Sequence, residues 1–355
     1  MNESGMSSTT AVLLRSAANH KCTVTTVGII ELLIEVAVAI PTFLLYGLIF
    51  RNYFNQRRRC MLNVHFFRLF MLNSAVNIVG YVIYFPFLRL PGLGLLCEPL
   101  LFFFTAPSRF LSPIFFLAYF TVLAGAVSTV SISLNRACAV IYYNKTNEIA
   151  SRLTPICVSL TWLLPLLAFW PLLFSPAYYL PVYNGLGINY VRTVPYPRNS
   201  LTCLVTSLLC ALIVVIATSA SVARLNALAL RHRRSEAALV IVGSVLSATQ
   251  LLFTAHQVSM YVSFNEFLYQ KLFIFTDLSC FAPPWSLLAL SASVRQEILR
   301  QLFRARRRCS QELSLPPRIV TAASCDESEE RLATATPLAD DRDAKRQATP
   351  LVFDS

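Results

Sequence analysis

Seven apolar runs dominate this sequence, and each is long enough to cross a lipid bilayer. An α-helix rises about 1.5 Å per residue and the hydrocarbon core is about 30 Å thick, so roughly 20 apolar residues make one span. Because lipid offers no hydrogen-bond partner to an open backbone, the runs are predicted to be helices. The predicted spans are Val24–Phe50, Leu69–Leu88, Ser112–Leu134, Thr154–Leu173, Leu201–Val222, Ala237–Val262 and Leu272–Ser293.

The composition agrees with a polytopic membrane protein. Only 14% of the residues are charged and 55% are hydrophobic, whereas a soluble domain has about 25% charged residues. The net charge of +12 lies in short segments between the runs and not on a basic, aromatic soluble face, so we expect no nucleic-acid partner. The ten cysteines include no CxxC pair and the four histidines are scattered, so we expect no metal or cofactor.

The basic residues between the runs predict an orientation. Seventeen Lys and Arg residues would lie on one side and seven on the other. Positive residues mark the cytoplasm, so the N-terminus is predicted outside and the C-terminus inside. Residues 11–14 are too short an apolar core for a signal peptide, so the first run is expected to act as the targeting signal.

This orientation divides the chain into four predicted parts. They are a disordered extracellular segment, a seven-helix bundle, a basic amphipathic helix on the inner leaflet and a disordered acidic cytoplasmic tail. Their bounds are residues 1–23, 24–293, 294–308 and 309–355.

Two segments outside the runs have a recognisable pattern. Leu90–Thr105 is apolar but short and interrupted by proline and glycine, so we expect an outer loop at the membrane interface. Tyr178–Tyr183 and Ile188–Val194 are β-prone, and Asn184-Gly185 between them is a turn signal. A β-hairpin covering the mouth of the bundle is therefore predicted.

Two residues are candidate modification sites. Asn2 lies in an N-glycosylation sequon. Cys309 directly follows the predicted amphipathic helix, where a cysteine is either palmitoylated or a free juxtamembrane thiol.

Short motifs in a characteristic order suggest a family. They are Phe66-Phe67-Arg68-Leu69 at the second span, Leu134-Asn135-Arg136 at the end of the third, the stretch 187–195 in the second outer loop, and Pro284-Trp285-Ser286-Leu287-Leu288 in the seventh span. In this combination the chain resembles the Srg class of nematode serpentine chemoreceptors, which are seven-transmembrane G protein-coupled receptors. The resemblance covers about residues 25–305.

The resemblance implies a non-enzymatic chemosensory receptor in the plasma membrane, and in a sensory cilium if the likeness holds. A small-molecule ligand would bind the outer half of the bundle and a heterotrimeric G protein the inner face, with arrestin or a kinase as further candidates at the tail. The implied coupling residues are Asn135, Arg136, Arg231, Arg233 and Arg234. Arg136 alone could also be a membrane-interface anchor whose side chain extends toward water.

The sequence departs from the larger rhodopsin-like group at that site. Asn135 stands where the acidic residue of the DRY triplet would be, and no NPxxY motif occurs. Arg136 therefore lacks an adjacent acid, and any resting-state contact must come from another helix.

Polar residues inside the spans are candidates for ligand binding, because such residues tend to face a bundle interior. In a seven-helix receptor the first and seventh helices are neighbours, so Glu31, Glu35 and Asp277 could converge and favour a cationic or proton-sharing ligand. Polar stripes on the second and sixth spans add Tyr84, Gln257 and Tyr261. The alternative for both groups is hydrogen bonding that holds the helices together.

The outer cysteines predict one disulfide. Under this topology they are Cys22, Cys97 and Cys203. We expect Cys97–Cys203, which would tie the first outer loop to the fifth helix in an oxidising exterior. The sequence also leaves 22–97 and 22–203 open.

The main alternative function is a small-solute transporter or channel. That class predicts inverted repeats, broken helices or a charged pore ring, and the sequence shows no convincing internal repeat. An intramembrane enzyme would need paired catalytic groups, and His256, the only histidine in a span, has no matching set.

Overall fold

The computed structural model describes most of the chain between residues 22 and 299. The described ranges are 22–56, 64–104, 106–142, 145–182, 185–194, 198–226, 230–263, 266–291, 294–296 and 298–299, with the backbone alone at 55–56, 226, 230–236 and 266–270. The helices are α1 Thr26–Gln56, α2 Val64–Tyr84, α3 Cys97–Phe104, α4 Ser112–Ile141, α5 Thr146–Phe169, α6 Pro171–Phe174, α7 Asn199–Asn226, α8 Leu230–Val262 and α9 Glu266–Leu290. The strands are β1 Ala177–Val182 and β2 Gly185–Tyr190.

Seven helices in the described part of the chain are long and apolar enough to cross a membrane, which confirms the predicted number. They are α1, α2 with its extension to Gly92, α4, α5, α7, α8 and α9. The most apolar stretch of α4 is 72% buried, whereas that of α5 is 28% buried. α4 is therefore the central helix, and the outer helices leave apolar side chains for lipid.

The two ends of α4 define the two ends of the bundle. We call the end that carries β1 and β2 the hairpin end, since the Ser112 hydroxyl at the start of α4 donates to the Ser175 carbonyl just before β1 (2.7 Å). We call the opposite end, where Arg136 lies, the Arg136 end. A separate hydrophobic cluster fills each half, one around Leu111, Phe115 and Tyr179 and the other around Phe66, Phe70 and Leu246.

The expected loop at Leu90–Thr105 is partly helical. α2 continues through a π-helical turn, Phe85–Arg89, and one α-turn, Leu90–Gly92. Gly94 then turns the chain with φ of 85°, and α3 follows. Phe102 and Phe103 on α3 are 80% and 70% exposed, so this short helix presents aromatic surface at the hairpin end.

Hydrogen bonds from other helices satisfy the backbone of α9 where proline interrupts it. Pro283 and Pro284 have no N–H, so the carbonyls four residues earlier, at Ser279 and Cys280, lose their usual helical donors. The Asn77 amide donates to the Ser279 carbonyl (3.2 Å), and the Tyr46 hydroxyl donates to the Cys280 carbonyl (2.6 Å). The two carbonyls that these prolines leave free thus accept the hydrogen bonds that connect α9 to α1 and α2.

The β-hairpin is attached to the end of α2 by a hydrogen bond of the same kind, to a carbonyl that a proline leaves without its helical donor. In a continuous α-helix the Phe87 carbonyl would accept from residue 91, which is proline. The Tyr179 hydroxyl of β1 donates to it instead (3.0 Å). A Cβ on Gly185 of β2 would lie 2.3 Å from the Pro91 carbonyl oxygen, so only glycine lets the strand approach the end of α2 this closely.

The predicted hairpin is confirmed, with shifted bounds. β1 and β2 pair antiparallel from Ala177 opposite Tyr190 to Val182 opposite Gly185. The second strand therefore begins earlier and ends earlier than Ile188–Val194. The predicted turn residue Asn184 lies outside the described residues.

The first turn of the predicted amphipathic helix packs on the bundle. Val294 and Ile298 are buried and belong to the cluster at the Arg136 end, whereas Leu299 is 46% exposed. The rest of that helix, and the tail after it, lie outside the described residues.

We expect Gly185→Ala to destabilise the protein by about 1–3 kcal/mol, because its methyl group has no room beside the Pro91 carbonyl. Gly47→Ala is the control, since a Cβ there meets nothing within 4 Å. Thermal unfolding of both variants in detergent measures the difference. Equal stability would contradict the close approach.

We expect Tyr46→Phe to cost about 1–3 kcal/mol, because it leaves the buried Cys280 carbonyl without a donor. Pro284→Ala restores an N–H four residues after that carbonyl. In the Pro284→Ala background, Tyr46→Phe should therefore cost clearly less. A double-mutant cycle by thermal unfolding measures this coupling, and strictly additive effects would argue against the assigned bond.

Candidate functional site

A cavity of about 360 Å³ lies at the hairpin end between α4, α7, α8 and α9. This outer cavity falls within the size range of small-molecule sites. Its apolar lining includes Phe115, Met260 and Leu272, and Ile188 of β2 closes one side. Arg198 is the charged side chain among its described lining residues.

A second, deeper cavity of about 60 Å³ lies between α2, α4, α8 and α9. We call it the deep chamber. Its lining is richer in amide and hydroxyl groups: Asn73, Asn77, Tyr81, Thr129, Thr249, Gln250 and Ser279. Tyr84, Val122, Phe253 and Thr276 line both cavities, so the two are adjacent.

Three of the predicted ligand residues lie together in the outer cavity. Tyr84, Gln257 and Tyr261 all line it. Two further polar residues of α8 have different roles. Gln250 lines the deep chamber, whereas the Ser247 hydroxyl forms a hydrogen bond with the Thr218 hydroxyl of α7 (2.8 Å). The polar stripe therefore has both a packing role and a cavity-lining role.

The predicted carboxyl groups lie instead in an ion cluster beside the cavities. The Arg89 guanidinium contacts the Glu35 carboxylate at 2.9 Å, and both side chains are about 95% buried. Glu35 also accepts from the Tyr81 hydroxyl (3.0 Å), and Glu31 pairs with Lys271. This cluster joins α1, the end of α2 and the start of the apolar part of α9.

Asp277 adds a third carboxyl to the cluster. It interacts electrostatically with Glu35 and Arg89, but it forms no hydrogen bond with any described residue. The structure thus brings together the three carboxyls expected to converge, and supplies Glu31 and Glu35 with cations from the protein itself. Neither cavity is lined by any of the three. Their contact with a ligand stays a prediction.

The predicted disulfide Cys97–Cys203 is wrong in its second partner. Cys97 pairs with Cys22, with their Cα atoms 6.2 Å apart. Cys203 is a free thiol, 4% exposed, on the inward face of α7 and lining the outer cavity. The segment before α1 reaches the start of α3, whereas Cys203 faces the bundle interior.

Arg136 is buried between three helices. It is 3% exposed, and its guanidinium lies over the Phe66 ring of α2 at 4.5 Å, within cation–π range. On α8, a Cβ added to Gly243 would lie 3.8 Å from the Arg136 side chain. Asn135 beside it is also buried, at 2% exposure.

Several predicted site residues have side chains outside the described part of the chain. Arg231, Arg233 and Arg234 lie in the first turns of α8, where the backbone alone is described. Asn2 and Cys309 lie outside the described residues.

Two important residues were not recognised from the sequence. Arg89 directly follows the second predicted span and belongs to no motif, but it is the buried partner of Glu35. Phe66 was noted only as part of a motif, but it is the ring under Arg136. Both roles depend on which helices are neighbours, and a residue's own sequence context carries no signal of that.

Comparisons with known proteins agree with this architecture. The family model described as Srg family chemoreceptor matches residues 32–298. Serpentine receptor class gamma-15 of Caenorhabditis elegans is 28% identical over 238 residues, covering 65% of this chain and 73% of that protein. Class gamma-16 from the same organism is 29% identical over 232 residues, covering 62% and 70%.

We expect Arg89→Met to destabilise the protein by about 3–5 kcal/mol, because it leaves the Glu35 carboxylate buried without its cation. Adding Glu35→Gln should recover part of that loss. Arg152→Met is the matched control, since its ion pair with Glu148 is 79% and 61% exposed and should be worth at most about 1 kcal/mol. Thermal unfolding of all four proteins tests this; similar costs for Arg89→Met and Arg152→Met would contradict it.

Proposed function

Because the chain belongs to the Srg family of chemoreceptors, we propose that it binds a small ligand in the outer cavity and activates a heterotrimeric G protein at the Arg136 end. The chain is a multi-pass membrane protein, and its described residues contain seven helices long and apolar enough to span a membrane. In the proposed function the ligand site is the outer cavity, the G-protein site is the Arg136 end, and the signal passes from the first to the second.

The observation that carries the proposal is the position of the two sites along α4. The outer cavity lies against its first turns, at Phe115, Ala118 and Tyr119. Arg136 lies near its last turn. α4 contacts α2, α5, α7 and α8, so a ligand that changes the packing of α4 at one end can bias the other.

The hairpin end is proposed to face outside. The Cys22–Cys97 disulfide lies at this end, and disulfides persist in oxidising compartments. Basic residues concentrate toward the other end, at Arg136, Lys145, Arg152 and Arg224, which suits the cytoplasmic side.

Activation would have to expose Arg136. At 3% exposure its side chain is hidden from any protein that approaches the bundle, as a resting state requires. Movement of α8 away from α4 and α2 would uncover it.

Several finer expectations belong to this proposal. Arg231, Arg233 and Arg234 would add positive charge to the coupling surface, and the acidic tail would offer sites for a kinase or arrestin. Placement in a sensory cilium follows from the family likeness. A transporter or channel is the rival function, and it predicts solute flux that needs no G protein.

We expect Arg136→Ala to lower agonist-driven nucleotide exchange on the G protein at least tenfold without loss of ligand binding. The measurement is exchange on purified G protein by receptor in lipid nanodiscs, with agonists found by screening a small-molecule library. Arg152→Ala is the control at the same end, because its side chain is 79% exposed. An unchanged response in Arg136→Ala would rule out its coupling role.

Cavity variants test the other end. Gln257→Leu and Tyr261→Ala should weaken agonist potency while leaving maximal exchange near the wild-type level. Loss of maximal exchange with unchanged potency would contradict a binding role for these residues. Solute flux through G protein-free vesicles would favour the transporter.

A further inference from the structure

The charge that the outer cavity carries is positive. Arg198 directly precedes α7, and its carbonyl accepts from the Thr202 N–H in the first turn of that helix (3.0 Å). Its side chain is exposed and lines the cavity. The polar lining residues Ser200, Gln257 and Thr276 are neutral, and no aspartate or glutamate is among the described residues of this lining.

The guanidinium of Arg198 has its hydrogen-bonding capacity left for a ligand. It forms no ion pair with any residue that the structure describes, whereas Arg89 is paired with Glu35 and Lys271 with Glu31. An arginine side chain carries five N–H donors in a planar fork. Arg198 therefore differs from the cations of the ion cluster, which already have carboxylate partners.

The carboxyl groups that favoured a cationic ligand do not offset this charge. Glu31 and Glu35 are paired with cations of the protein itself, and neither they nor Asp277 lines the outer cavity. A cationic ligand in this cavity would meet Arg198 as a like charge, and an anionic ligand would meet it as an opposite one. The lining thus favours an anion and reverses the charge expected from the carboxyl groups.

The rest of the lining requires an apolar body. Tyr261, Gln257 and Phe253 of α8 all line the cavity, and their spacing of four residues places them on one helix face, over about 12 Å. Tyr261 is 53% exposed and Phe253 is 6% exposed, so this face runs from an exposed rim to a buried floor. A charged group is costly to bury, so it belongs at the rim, where Arg198 is also exposed.

We propose that the outer cavity binds an amphipathic monocarboxylic acid, with its carboxylate against the Arg198 guanidinium and its apolar body extending toward Phe253. The guanidinium fork matches the two oxygens of a carboxylate. One guanidinium balances one negative charge, so a monoanion suits the site better than a dianionic phosphate ester. This inference rests on the proposed function for the identity of the outer cavity, and it names the class of ligand and the residue that selects it.

The test is ligand-induced thermal stabilisation of the purified full-length chain in phosphatidylcholine nanodiscs. The probes are octanoic acid and 4-phenylbutanoic acid, each compared with its primary amide and with the amine of the same carbon skeleton. At neutral pH the members of each set are anionic, neutral and cationic, with nearly the same shape.

We expect at least one acid to bind about tenfold or more tightly than its amide, because only the acid forms a charge-assisted pair with Arg198. The amines should bind more weakly than the acids. The concentration dependence of the melting temperature measures each affinity. Acids that bind no more tightly than their amides, or that do not bind, would overturn the proposal and leave Arg198 as a contact for lipid phosphate or water.

Variants of two arginines locate the effect. Arg198→Gln removes the charge and should make the acid and its amide bind equally, whereas Arg198→Lys should retain part of the preference. Arg192→Gln is the matched control, because Arg192 is exposed just after β2 and does not line the cavity. A preference for the acid that persists in Arg198→Gln, or that is lost equally in Arg192→Gln, would contradict the assignment.

The assay does not use a G protein, so the two proposals can fail separately. Acid-selective stabilisation that depends on Arg198, without any nucleotide exchange, would leave the carboxylate site standing and remove the coupling function. Agonist-driven exchange by neutral or cationic ligands that is indifferent to Arg198→Gln would do the reverse.

Discussion

Every backbone carbonyl in a membrane-spanning helix needs a donor, and this bundle is held together where proline removes one. Pro91, Pro283 and Pro284 free the carbonyls of Phe87, Ser279 and Cys280. The donors that replace the lost N–H groups come from other elements: Tyr179 on the hairpin, Asn77 on α2 and Tyr46 on α1. In water such a gap would be filled by solvent. In lipid, side chains of neighbouring elements fill these three positions, so each of the three becomes a bond between elements.

The two ends of the bundle are held by different forces. At the hairpin end the Glu35–Arg89 pair, the disulfide and the close contact at Gly185 combine charge, covalent and steric constraints. At the Arg136 end the central contact is an arginine over an aromatic ring. A cation–π contact is weaker and less directional than a hydrogen-bonded buried ion pair. The two ends therefore differ in the kinds of contact that hold them.

The spans, the hairpin and the family could be predicted from the sequence, because each depends on a local pattern. Hydrophobic run length gives the spans, and Asn184-Gly185 between β-prone stretches gives the hairpin. The pairing of Glu35 with Arg89 could not be predicted in this way, since it depends on how α1 and the extended end of α2 are rotated toward each other. The same limit explains the disulfide. Cys22, Cys97 and Cys203 allow three pairings, and the choice depends on the inward rotation of α7. Tyr84, Gln257 and Tyr261 of the periodic stripes line the outer cavity, and their contact with a ligand stays a prediction. A stripe alone does not tell which members face a cavity and which face a helix.

The Cys22–Cys97 bond closes a loop with a sequence separation of 75 residues, and that loop contains α1 and α2 in full. These two helices are therefore one covalent ring from which the other spans continue as a tail. A single peptide-bond cleavage in the connection between α1 and α2 would open the ring without dividing the molecule, so α1 would stay attached until the disulfide is reduced. In topological terms, the first two helices form one closed ring, and the remaining five form the tail that continues from it.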